Sequence, residues 1–197
     1  MKDKQLTIPK LGFDIDGTAF DIMTPTLRLM ETRLRTDFSF FHIKQHDVPK
    51  SLDLTAEETL AFKESLNIFL QTPYILPYKG FVEFIWWAEQ NSEQAPVFIT
   101  SRPKKYLQPT ADLLSLWLRG IPWTLQHTDN KLQDIQESEI KVFFEDRRKI
   151  ILELEANNVS IWAPVRPWNE EILTKGTVTW FLDWEVVLQK FRTKYGG

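Results

Sequence analysis

The segment Phe13-Asp14-Ile15-Asp16-Gly17-Thr18 ends a short apolar run that starts at Leu11, and it sets two carboxylates two positions apart where the chain must turn. A run of this kind predicts a buried strand over residues 11–15. Once the strand breaks at Gly17, both aspartates project toward one ligand region. An Asp-x-Asp-Gly string can also be an exposed turn. Its place directly behind a hydrophobic strand, near the start of the chain, weighs against that. By composition about two chains in a thousand would carry Asp-x-Asp-Gly-Thr by chance.

Further strands are predicted over 96–100, 121–125, 140–144 and 159–163, each an apolar run followed by a polar or turn-forming residue. Helical spacing runs between the later ones, over 106–119 and 147–157. Strands alternating with helices indicate an α/β fold: a Rossmann-like parallel sheet with helices on both faces, in three layers. Such a sheet places its chemistry at the carboxyl ends of the strands.

One interval breaks the alternation. About 80 residues separate the first two strands, far more than one crossover helix requires. Leu27, Met30 and Leu34 mark a helix over 24–38. Thr55 and Glu58 form a capping box that opens a second helix over 55–71. Pro73, Pro77 and Gly80 mark the exit, and residues 81–90 supply the crossover helix. The chain therefore divides into a core, 1–20 with 79–197, and a small helical insert, 21–78, directly after the first strand.

Composition excludes several classes of function. With no cysteine, thiolate metal sites and cysteine nucleophiles are absent. A net charge of −3 argues against a nucleic-acid polymer as partner. No apolar run approaches a membrane span, and the basic start MKDKQLTIPK lacks the apolar stretch of a signal peptide. No membrane association and a cytoplasmic location are the expectation; a homodimer stays open. Eight tryptophans, all at or beyond position 86, read as packing of the sheet and its helices. Phe38, Phe40 and Phe41 read as the insert's own core. His42 and His46 have the spacing of a zinc pair but lack a third ligand.

The motif around Asp14 resembles the first motif of the haloacid dehalogenase superfamily of phosphohydrolases. The resemblance implies that Asp14 is a nucleophile forming an aspartyl-phosphate, and that Asp16 protonates the leaving oxygen and then activates water. Gly17 and Thr18 would lie against the phosphate. Ile99-Thr100-Ser101 matches the second motif, in which Thr100, with Ser101 nearby, binds phosphoryl oxygens. Arg102 departs from the Thr-Ser-Pro of some relatives, and reads either as a phosphate or substrate contact or as a solvated loop charge. Glu145-Asp146, ending a later strand, matches the acidic pair. Asp14, the carbonyl of Asp16, and Asp146 would hold Mg²⁺, with Glu145 beside them. Glu145 stands in place of the more usual Asp, so which of the two acids touches the metal stays open.

The family's single lysine is Lys131 or Lys141; the latter lies at the far end of the predicted strand, so geometry prefers Lys131. The text Thr128-Asp129-Asn130-Lys131, and more weakly Val165-Arg166-Pro167-Trp168-Asn169, resembles the deoxyribonucleotidase branch. The resemblance thus implies a helical cap and Mg²⁺-dependent hydrolysis of a small phosphomonoester, a nucleoside monophosphate by motif texture. A sugar phosphate is the runner-up. A catalytically silent phosphate-binding member is the reading from another class.

Overall fold

A computed structural model describes residues 7–174 and 176–196. Six parallel strands form one sheet in the order β3-β2-β1-β4-β5-β6. They are β1 (Leu11–Phe13), β2 (Val97–Thr100), β3 (Thr124–His127), β4 (Val142–Phe144), β5 (Ser160–Pro164) and β6 (Val178–Phe181). Beside them lie α4 (Phe81–Gln90), α5 (Leu107–Trp117), α6 (Lys131–Glu137), α7 (Arg148–Ala156) and α8 (Trp184–Tyr195). The expected α/β architecture is the one observed. The basic segment 1–6 lies outside the described residues, as do Lys175 and Gly197.

β1, β2 and β4 are buried throughout because both faces of the sheet are covered, which is why they read as unbroken apolar runs. On one face Phe13 stacks on Phe144 at 4.8 Å, with Phe81, Phe84 and Trp184 around them. On the other, Ile99, Phe143 and Ile161 pack with Ile135 of α6 and Ile151 and Leu154 of α7. Gly12 lets that side close up, since a Cβ there would lie 2.7 Å from the Phe143 ring.

Four elements depart from expectation. The strand predicted over 121–125 begins at Thr124, whose N–H donates to the Pro96 carbonyl at 3.1 Å. Pro122 has no N–H to give a ladder, which delays the strand. β6 and α8 were not anticipated: β6 is a half-buried edge of four residues with no long apolar run. α6 was also missed. It has seven residues, too few for a helical period to show, and is started by the Asn130 side chain accepting from Gln133 N–H.

The long interval holds α1 (Met23–Leu34), a 3₁₀ turn (Phe40–His42), α2 (Val48–Ser51) and α3 (Ala56–Leu70). The capping box of Thr55 and Glu58 is present, with Thr55 N–H donating to Glu58 at 2.8 Å. Leu27, Met30, Ile43, Val48 and Phe62 form a separate apolar cluster, which Phe38 and Phe40 flank. Phe41 does not belong to it and is 73% exposed. Entry and exit of this insert run side by side, with Asp21 N–H donating to Leu76 and Tyr78 N–H to Ala19, each at 3.0 Å.

Candidate active site

Strand order reverses beside β1: the chain winds outward through β2 and β3, then returns to β4 on the other side. The crevice at such a switch point is where open α/β sheets bind ligands. Asp14 leaves the end of β1 there, its N–H donating to the Phe144 carbonyl at 2.9 Å. Glu145 and Asp146 leave the end of the neighbouring β4. Lys131, the first residue of α6, points in between. Its ammonium bonds to the Asp14 carboxylate and to Glu145 Oε2, the latter at 2.6 Å. Lys141, by contrast, is exposed and precedes β4 at its opposite end.

Each acid is held by specific donors. Glu145 Oε1 accepts from the N–H groups of Asp146 and Arg147 at 3.1 and 2.9 Å. Asp146 accepts from the Thr18 hydroxyl at 3.1 Å and from the Trp168 indole at 2.9 Å. Asn169 donates to the Asp146 carbonyl at 2.9 Å. Gly17 turns the loop with φ +81°, and a Cβ on it would meet Asp146 Oδ2 at 2.3 Å, so both the backbone and the space demand glycine. Among the described residues Asp14 Oδ2 is buried with no hydrogen-bond partner.

The electrostatics follow from that packing. Three buried carboxylates lie around one ammonium, which bonds to two of them, so with all three ionised the cluster carries an excess of two negative charges. Burial, with Glu145 and Asp16 adding to it and Lys131 opposing, pushes Asp14 up to about 7. Burial and then the charge of Asp14 push Asp146 up to about 6. Burial also raises Glu145. Lys131 rises too: burial works against its charge, but Asp14 and Glu145 outweigh it. In an isolated ion pair the acid would fall as the lysine rises. Here Asp14 climbs because burial outweighs the pull of Lys131, with Glu145 and Asp16 adding to the rise.

Oxygens of Asp14, Glu145 and Asp146 lie within 4.8 Å of one another. Hard oxygen donors, a spare buried carboxylate oxygen and two unbalanced negative charges together fit Mg²⁺. The pH dependence has a definite sign. Acids whose folded pKa is raised hold protons that the unfolded chain releases, so metal-free protein loses stability as pH climbs from about 4 through about 7. Mg²⁺ takes the deprotonated set, so its stabilising effect grows over the same range. At a concentration a hundredfold above Kd it contributes ~2.7 kcal/mol, or ~5–10 °C in Tm for a chain of this size. Thermal melts with Mg²⁺ and with EDTA should differ by that much at pH 8 and coincide at pH 4.5. A pH-independent difference would contradict this site.

Thr100, buried at the end of β2, and Ser101 line the same cleft. Asp16 does not join the acid cluster through its side chain. It turns instead to Arg102, whose Nε and Nη2 donate to its two oxygens at 2.8 and 2.6 Å. Arg102 is 4% exposed, so it is not a solvated loop charge; it lines the cleft, and three of its five N–H donors go to Asp16 and Thr110. His42 and His46 are both exposed, and among the described residues the acid triad is the one metal-ligand group of three or more.

Over the acids lies a cavity of about 440 Å³ between sheet and insert. Apolar side chains dominate the insert's wall, among them Ile43, Val48, Phe62 and Leu66, with His46, Asp47 and Lys63 as polar exceptions. Trp168 was read as core packing, but it lines this cavity and bonds to Asp146. A tryptophan on the short 3₁₀ helix Pro167–Ile172 beyond β5 can reach both the insert's apolar cluster and the acid, and no local periodicity reports that. Arg147 lines the cavity as well.

The chain has the fold of the haloacid dehalogenase-like hydrolases. It aligns with a "putative beta-phosphoglucomutase" from Thermotoga maritima at a TM-score of 0.60 and 14% identity, over 94% of this chain and 99% of that one. A haloacid dehalogenase-like family hydrolase from Xanthomonas campestris aligns at 0.55 and 13% identity, over 96% and 97%. In sequence, a Bacillus cereus protein named "Putative nucleotidase" is 24% identical over 182 residues, covering 87% of this chain and 94% of that protein. No protein-family model matches the chain. Among the described residues no helix is long and apolar enough to cross a membrane.

Proposed function

We propose that this chain is a Mg²⁺-dependent phosphomonoester hydrolase that acts on nucleoside monophosphates. The observation that carries the proposal is the buried set Asp14, Lys131, Glu145 and Asp146, placed at the switch point beneath a largely apolar cavity.

In this reading Asp14 attacks phosphorus, and the bond to the leaving oxygen breaks as that oxygen takes a proton from Asp16. Water then attacks the aspartyl-phosphate, gives its proton to Asp16 and releases Asp14 as a carboxylate with inorganic phosphate. Asp14, Asp146 and the Asp16 carbonyl would hold Mg²⁺, with Glu145 beside them; the ion supplies charge neutralisation that lets a carboxylate approach a phosphate. Lys131 and Thr100 stabilise the transferring group, with Gly17, Thr18 and Ser101 around it. The helical insert serves as a cap that excludes bulk water.

The apolar wall of the cavity favours a nucleoside over a sugar as the leaving group. A flat base gains from burial against Phe62 and Trp168. A sugar's hydroxyls would need partners that Ile43, Val48 and Leu66 do not offer. The test is Mg²⁺-supported turnover of ribo- and deoxyribonucleoside monophosphates beside hexose and pentose phosphates. kcat/KM should be at least about tenfold higher for a nucleotide, equal to ~1.4 kcal/mol of preference. Faster turnover of a sugar phosphate would move the substrate to that class, and no turnover of any ester would leave the chain a phosphate-binding protein.

A further inference from the structure

Resting on the Mg²⁺ site of the hydrolase reading, we infer that Trp168 is a positioning residue that ties the insert to Asp146, so that metal affinity depends on where the insert sits. Trp168 belongs to the core in sequence and to the insert in packing. It is 6% exposed and sits in the apolar cluster of Leu27, Met30, Ile43, Val48 and Phe62. Among the described residues every other member of that cluster lies in the insert. The Phe40 ring and the indole meet in a T, with centroids 5.4 Å apart and planes at 70°.

The other end of the same side chain reaches the acid. Indole is an apolar body with one N–H donor, so a buried one needs an acceptor. Trp168 Nε1 finds it in Asp146 Oδ2 at 2.9 Å, while the Thr18 hydroxyl holds Oδ1 at 3.1 Å. Each oxygen has its own donor, and the two together fix the plane of the carboxylate. Their supports differ. Thr18 stands on the loop after β1, within the core. The indole is held in place by the insert's apolar side chains. The short helix that carries it meets the insert again at Glu170, which pairs with Lys44 at 3.2 Å.

Withdrawing the insert would bare the ring and free it to turn, and Asp146 would keep one donor of two. Groups that orient a metal ligand from behind govern affinity by about 10- to 100-fold. The linkage is reciprocal: whatever factor the seated insert adds to Mg²⁺ binding, Mg²⁺ adds to the seating of the insert.

Isothermal titration calorimetry of the full chain with Mg²⁺ alone, at pH 8, tests the coupling. Trp168→Phe keeps an aromatic body for the insert and loses the N–H, and Kd should rise about tenfold. Phe40→Leu touches no acid and leaves the N–H in place, yet Kd should rise about threefold. Added to Trp168→Phe, the Phe40 change should cost little more, because the bond it acts through is already gone. Each variant is checked for a native circular dichroism spectrum and a cooperative melt in EDTA; should Trp168→Phe not fold, the wild type against Phe40→Leu decides. A Trp168→Phe protein whose Tm falls while its Kd stays within about twofold of wild type would make Trp168 a packing residue alone and overturn the inference. So would a Phe40→Leu protein that binds as the wild type does, or additive losses in the double variant. A wild type that binds Mg²⁺ and turns over no ester would sink the hydrolase reading and leave the coupling standing. One that binds no Mg²⁺ would overturn both.

Discussion

Asp14→Asn should abolish turnover of every phosphomonoester, by at least about 10³-fold in kcat, while the protein still folds. An amide of the same shape keeps an oxygen for Lys131 but cannot attack phosphorus. The fold should survive for an electrostatic reason: the site carries two negative charges more than it can balance, and the variant removes one of them. In EDTA at pH 8 its Tm should match or exceed that of the wild type. In Mg²⁺ it should fall below, because a ligand oxygen with no other partner has been lost. Residual activity within about tenfold of wild type would exclude Asp14 as nucleophile. Turnover assays and paired melts check both halves.

Lys131→Met should have the largest effect on stability. Removing one partner from a buried charge cluster costs ~3–5 kcal/mol, because the remaining charges lose their compensation. Here it strands Asp14 and Glu145 together, with Asp146 beside them. The cost should be greatest at pH 8 in EDTA, where Asp14 and Asp146 are ionised. It should shrink toward pH 5, as Asp14 and Asp146, already pushed up to about 7 and about 6, take up protons. Urea unfolding at the two pH values measures the difference. Lys141→Met, at an exposed position, should stay within ~0.5 kcal/mol of wild type and is the control. If both variants unfold alike, the ammonium of Lys131 is not what balances the acids.

What was legible in the sequence was whatever is written locally. Leu11-Gly12-Phe13 and Val97-Phe98-Ile99 are buried on both faces, so their apolar text is unbroken. The capping box at Thr55 lies within four residues of itself, and α4 begins and ends where its pattern does. Asp14 and the Glu145-Asp146 pair stood out because acids at the ends of apolar strands are costly unless something holds them. What escaped was pairing at a distance. The partners Arg102 and Asp16 are 86 residues apart, and Trp168 reaches Asp146 from a short 3₁₀ helix with no periodicity. β6 and α8 escaped because an edge strand and a half-exposed helix dilute the apolar signal. Length and composition excluded chemistries, but they could not say that Arg102 would be buried.

Trp184 opens α8, fills the space under Phe13 and Phe144, and donates its indole N–H to the Thr18 carbonyl at 3.2 Å. Those two residues are separated by 166 positions. As the chain emerges during synthesis, Asp14 and its loop are made early. The prop beneath them arrives only after β6 has been made. Contacts closed so late in the chain slow folding and leave the partly made sheet uncovered. A chain stopped before α8 would carry every reactive side chain and still lack the floor on which they stand. Enzymatic activity in a translation time course should therefore appear as a late step rather than rise with the synthesis of the acid residues.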